Sequence, residues 1–102
     1  MAMTREPKYE GQSPENPKLT YEKAYRLDTI DSHAGILRRA RNDAPVEQGG
    51  LPQYSWEVHK EESDGRLTFL DSFSDQEDAL WHWENGRLDL DWQGTVKRTW
   101  GA

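Results

Sequence analysis

Apolar positions recur along this chain with two different periods. From residue 53 to 60, Tyr54, Trp56 and Val58 alternate with Ser55, Glu57 and His59. A period of two is the mark of a strand with one face buried. Glu61-Glu62-Ser63-Asp64-Gly65 then supplies turn chemistry, with Asp-Gly suited to positive-φ positions. Leu67, Phe69 and Phe73 share a face on the return segment, which predicts a hairpin 53–60/66–73. The period then changes. Ser74-Asp75-Gln76-Glu77 reads as a capping box, with Ser74 capping Glu77. Ala79, Leu80 and Trp83 follow on one face at 100° per residue, and Asn85-Gly86 gives the stop. This predicts a helix near 75–85 with Trp83 pointing inward. Beyond it, Leu88, Leu90 and Trp92 alternate with Asp89 and Asp91, predicting a strand near 87–92. Gln93-Gly94 suggests a tight turn into a strand near 95–100.

Upstream the pattern is ambiguous. Leu27, Ile30, Ala34 and Leu37 lie at helical spacing, and Arg38, Arg39 and Arg41 sit where a helix C-terminus favours cations. A helix near 33–42, capped by Ser32, is the expectation, with 19–32 open between helix and strand. Residues 43–53 read as a loop. Residues 1–18 hold three of the five prolines and only Tyr9 as a sizeable anchor, so they read as a flexible N-terminal arm. The remaining residues 19–102 make a single small α+β domain, a small antiparallel sheet packed against one or two helices.

Composition sharpens this. Leu, Ile, Val and Phe together number only 16 of 102 residues, and the net charge is −6. Such a chain approaches the disordered class. Five Trp, four Tyr and two Phe supply the missing burial. The absence of cysteine excludes disulfides, thiolate metal sites and a Cys nucleophile, and fits a reducing compartment. No apolar run is long enough to span a bilayer, and no apolar stretch follows the N-terminal residues. A cytoplasmic protein without membrane association is expected.

Candidate chemistry is sparse. His33, His59 and His82 lack metal-ligand spacing, His59 is expected on the wet face of its strand, and His82-x-Glu84 has no Cys pair to complete a zinc site. Asp89 and Asp91 would share a strand face able to hold a hard cation, with Glu84 or a histidine as a third group and Lys97 as the nearby lysine that nuclease-like chemistry would want. Alternating Leu and Asp is also what a half-wet strand looks like. No Gly-x-Ser-x-Gly, Walker-type or Gly-x-Gly-x-x-Gly motif occurs. The expectation is therefore no catalytic residue, no metal and no cofactor. Arg38, Arg39 and Arg41 form the one basic cluster, a candidate phosphate contact. Residues 51–102 carry 11 acidic against 5 basic side chains, which argues against nucleic acid as a partner.

Four of the five tryptophans fall after residue 80, among carboxylates. Trp83 and Trp81 cannot both face the core of one helix. Trp81, Glu84, Asp89, Asp91 and Trp100 therefore suggest an acidic, Trp-bearing surface for a basic protein partner. The leading expectation is a small acidic non-enzymatic protein-interaction module. By analogy of composition, it suits the accessory and inhibitor proteins of phages and mobile elements. A metal-assisted hydrolase using the clustered carboxylates, or a small-ligand or carbohydrate module using exposed Trp, are the alternatives. A pocket in the fold would favour the last.

Overall fold

Asp31 and Ser32 both adopt positive φ, 49° and 67°. Two consecutive positive-φ residues make the tight turn that suits the twist of a two-residue hairpin. They join β3 (Leu19–Ile30) to β4 (His33–Asn42), the two longest strands among the described residues. The helix expected near 33–42 is thus a strand, and the ambiguous segment before it is its partner. The misreading has a physical origin. Gly35, Ile36 and Leu37 are all buried in succession, because both faces of β4 are covered. A strand buried on both faces loses its alternation and imitates helical spacing.

The computed structural model describes residues 3–43 and 49–91. With β1 (Met3–Arg5), β2 (Gly11–Gln12), β5 (Gln53–Glu61) and β6 (Leu67–Phe73), β3 and β4 form a six-stranded antiparallel sheet in the order β1-β3-β4-β5-β6, with β2 also on β3. The N-terminal segment is not a loose arm. β1 (Met3–Arg5) pairs with Tyr25–Leu27, and β2 (Gly11–Gln12) pairs with Thr20 and Tyr21, end to end along the same edge. A 3-10 turn at Pro7–Tyr9 lies between them and carries Tyr9 over the sheet. Pro7 stands at the start of that turn, where a missing N–H costs nothing. Backbone pairing, which apolar counting does not register, offsets the ordering entropy here.

β5 (Gln53–Glu61) and β6 (Leu67–Phe73) form the expected hairpin, closed by Gly65 at φ 91°. Its register shifts at Val58/His59, where Val58 opposes Asp71 and His59 opposes Phe69, so Leu70 is an extra residue in β6. α1 (Gln76–Glu84) follows. Its N-cap is Asp75 rather than Ser74: Asp75 is extended, and its Oδ1 accepts from the Asp78 amide at 2.8 Å. A carboxylate both caps that amide and meets the positive helix end. Residues 87–91 form no strand. Instead Asp89 Oδ1 accepts from the Asp91 amide at 3.0 Å, a local turn that competes with extended pairing. The strand expected near 95–100, together with Trp92, lies outside the described residues, as does part of the loop 43–53.

The result is an α+β fold with a core on each side of the sheet. On one side α1 lays Ala79, Leu80 and Trp83 onto Leu27, Leu37 and Val58, with Trp56 and Phe73 at the margin. On the other, Tyr9 covers Ala24 and Ile36, with Leu67 beside them. No helix among the described residues is long and apolar enough to cross a membrane.

Candidate functional site

Antiparallel register places Tyr21, Arg38, Glu57 and His59 on the face away from α1. Ala24 stands opposite Arg38, Arg38 opposite Glu57, Ile36 opposite His59, and His59 opposite Phe69. Residues 13–16 and Tyr9 form one wall over this face, and the β5–β6 turn with Arg66 and Thr68 forms another. Between them lies a concave pocket of about 820 Å³, lined by all four polar side chains and by Phe69.

The four are wired together. The Tyr21 hydroxyl donates to Glu57 Oε1 at 2.9 Å, and His59 Nε2 lies 3.0 Å from the same oxygen. The Arg38 guanidinium stacks on the Tyr21 ring at 3.5 Å and donates through Nε to the Tyr9 carbonyl at 3.0 Å. The His59 ring meets Tyr21 and Phe69 edge-on. His59 and Tyr21 are buried, and the Glu57 side chain is nearly so.

Their charge states follow from their surroundings. Burial pushes the Glu57 carboxyl upward, but the hydrogen bonds from His59 and Tyr21 and the Arg38 charge outweigh it, holding Glu57 below its ordinary value. Burial dominates at His59 and lowers its pKa despite the neighbouring carboxylate. Burial, reinforced by Glu57, raises the Tyr21 phenol. Burial also lowers the Arg38 guanidinium from its very high ordinary value, a group that stays charged at any physiological pH. Glu57 is therefore a carboxylate and His59 a neutral imidazole. A carboxylate only accepts, so the proton of His59 sits on Nε2. Nδ1 is then a bare acceptor, buried and with no hydrogen-bond partner among the described residues.

This state is pH-sensitive. Below about pH 6.5 the unfolded chain protonates His59 while the native state resists. The stability contributed by the neutral ring is complete above that pH and is lost as pH falls toward the lowered native value. The unfolding free energy should decline from about pH 6.5 with a slope of up to about 1.4 kcal/mol per unit. In urea titrations across pH 4.5–7.5, His59→Gln should flatten this limb. An unchanged slope in that variant would disprove the assignment.

The arginines expected as one phosphate contact are divided by the strand. Arg38 faces the pocket, whereas Arg39 and Arg41 fall on the α1 side, opposite Trp56 and Tyr54. Arg41 lies near Glu22 and Asp43. Trp81 and Glu84 are exposed on α1, with Arg87 over the Trp81 ring at 5.6 Å, and Asp89 and Asp91 are exposed in the turn beyond it. Trp100 and Lys97 lie outside the described residues. The expected pairing of Asp89 and Asp91 on a strand face is absent, since that segment is a turn. His33 begins β4, and His82 on α1 packs its ring on Phe73, so neither approaches His59. Among the described residues, no group of three or more His, Asp or Glu side chains is placed to hold a metal ion.

No family model, curated protein or solved structure matches this chain.

Tyr21, Glu57 and His59 escape sequence reasoning, and His59 is assigned there to a wet face. The signal was present as Glu57-x-His59, two groups on one side of a strand. What the spacing could not show is that Tyr9 and residues 13–16 roof that side. The arrangement can accept a proton or hydrogen bond at Nδ1 and present guanidinium N–H donors nearby. Among the described residues, no serine or threonine hydroxyl is hydrogen-bonded to His59.

Proposed function

We propose that this chain is a small-ligand-binding module whose site is the pocket of Tyr21, Arg38, Glu57 and His59. The carrying observation is that His59, a residue lining the pocket, holds a buried Nδ1 with no hydrogen-bond partner among the described residues. A buried acceptor without a donor costs roughly 1–3 kcal/mol, a cost that a ligand's N–H or O–H would remove. Arg38 supplies the complementary half, because its stacking on Tyr21 fixes a charged donor fork for a carboxylate, phosphate or carbonyl oxygen. The favoured ligand is thus a small polar molecule carrying a donor and an anionic or strongly accepting group, such as a hydroxy acid or amino acid.

The test combines thermal shift across hydroxy acids, amino acids, nucleotides and sugars with nitrogen-15 spectra of the histidine rings. A hit at one hundred times its Kd should add about 2.7 kcal/mol of stability. It should move the His59 Nδ1 resonance, and both effects should disappear in Arg38→Met and His59→Phe. If no compound in these classes perturbs His59 at millimolar concentration, the reading fails.

A second reading keeps support from Trp81, which is 49% exposed on α1 beside exposed Glu77, Asp78 and Glu84. An aromatic anchor ringed by acids suits a basic protein surface. Trp81→Ala would abolish such binding and leave the pocket untouched.

A further inference from the structure

The face of the sheet that carries α1 is only partly covered by it. Beyond the helix the register sets Lys23 directly opposite Arg39, Arg39 opposite Trp56, and Trp56 opposite Phe73. The flanking rows on the same face add Tyr25 and Arg5 on one side, and Arg41 and Tyr54 on the other. Tyr25 and Trp56 lie 6.5 Å apart between ring centroids and tilt by 30°, while Arg39 lies over the Tyr54 ring at 4.5 Å. Tyr54 is 46% exposed, Lys23 is exposed, and Arg39 and Trp56 are half-buried.

Two like charges directly opposite on neighbouring strands repel and destabilise a sheet. Arg5 and Arg41 are answered by carboxylates, Glu10 for the first and Glu22 and Asp43 for the second. Among the described residues, Lys23 and Arg39 meet no carboxylate at all. The net charge of −6 therefore conceals a segregated surface, in which acids crowd α1 and the turns while cations and aromatic rings share this part of the sheet.

We infer that this basic, aromatic part of the sheet binds a short single-stranded nucleic acid, with Lys23 and Arg39 on its phosphates and Tyr54, Trp56 and Tyr25 against its bases. Strands carrying rings at neighbouring positions offer successive stacking platforms, and cations between them track the backbone. An acidic peptide would satisfy the two cations but would leave the aromatic surface without flat partners. A duplex hides its base faces and gives the rings nothing to stack on. The acidic remainder of the chain limits the contact to a few nucleotides and leaves it little long-range attraction. This site lies across the sheet from the pocket, so it stands or falls independently of the ligand reading.

The experiment is fluorescence anisotropy of fluorescein-labelled oligo-dT and oligo-U, each about twelve nucleotides long, titrated with the full chain at several salt concentrations. Binding should weaken with salt at a log–log slope of about −1.4, as for two phosphate contacts on a single strand. Lys23→Glu and Arg39→Glu should each weaken it by at least about tenfold, and Tyr54→Ala by about tenfold. Lys23 is an exposed side chain that supports no core, so its variant keeps the test valid if Arg39→Glu unfolds. Wild-type affinity in Lys23→Glu, or no binding at low salt, overturns the proposal. So does equal displacement by polyglutamate of matched charge, which would assign the surface to an acidic protein instead.

Discussion

Trp83→Ala should lower the unfolding free energy by about 3–5 kcal/mol. Trp83 is 2% exposed and sits at the centre of the helix-side core, against Leu27, Leu37 and Val58. Its Nε1 donates to the Asp28 carbonyl at 2.8 Å, so one ring joins α1 to β3 by both area and direction. The sheet has been shaped for it. A Cβ at Gly35 would lie 2.7 Å from Cη2 and Cζ2 of the indole, closer than side chains tolerate. Glycine stands in this strand because the ring needs the space, although glycine weakens a strand interior. Gly35→Ala should therefore cost about 1–3 kcal/mol in the wild-type protein. In the Trp83→Ala background the clash is gone, and the same substitution should become neutral or stabilising. Urea denaturation of the four proteins of this cycle checks the claim. Additive losses would show that Gly35 and Trp83 do not share the contact.

The inward position of Trp83 was legible in the sequence because a short surface helix obeys a single period. The 53–60/66–73 hairpin was legible for a similar reason, an alternating run joined to its partner by a Gly-containing turn. The β3–β4 hairpin was not. Its turn is Asp31-Ser32 rather than a pair with glycine, and Ser32 at φ 67° is a conformation that sequence rules seldom assign to serine. Once that turn is missed, the buried run Gly35–Leu37 and the three arginines read as a helix with a basic end. The same error hid both candidate sites. On a helix Arg38, Arg39 and Arg41 would form one patch. On a strand they divide, Arg38 to the pocket and Arg39 with Arg41 to the opposite face. The pocket also needs its roof, and the edge pairing that places Tyr9 there leaves no hydrophobic signature in residues 3–18.

Glu57→Leu should cost about 3–5 kcal/mol, the penalty for leaving a buried polar set without its charge partner. It removes the acceptor of both Tyr21 and His59, and it strips Arg38 of the carboxylate that faces it across β4 and β5. Arg38 would remain stacked on Tyr21 as an uncompensated cation, partly withdrawn from water. The double variant Glu57→Leu with Arg38→Met should recover much of that loss, because apolar groups of similar volume fill such a site without desolvated charge. Denaturant titrations of the two single variants and the double measure the recovery as a coupling energy. A double variant as unstable as the sum of the singles would mean that the two charges do not support each other. The recovered variant separates stability from use. If an apolar pair folds about as well as the native one, the fold does not require Arg38 and Glu57. Their presence without a stability gain then points to ligand binding, and the double variant should fold while showing no response of His59 to any ligand that the wild type binds.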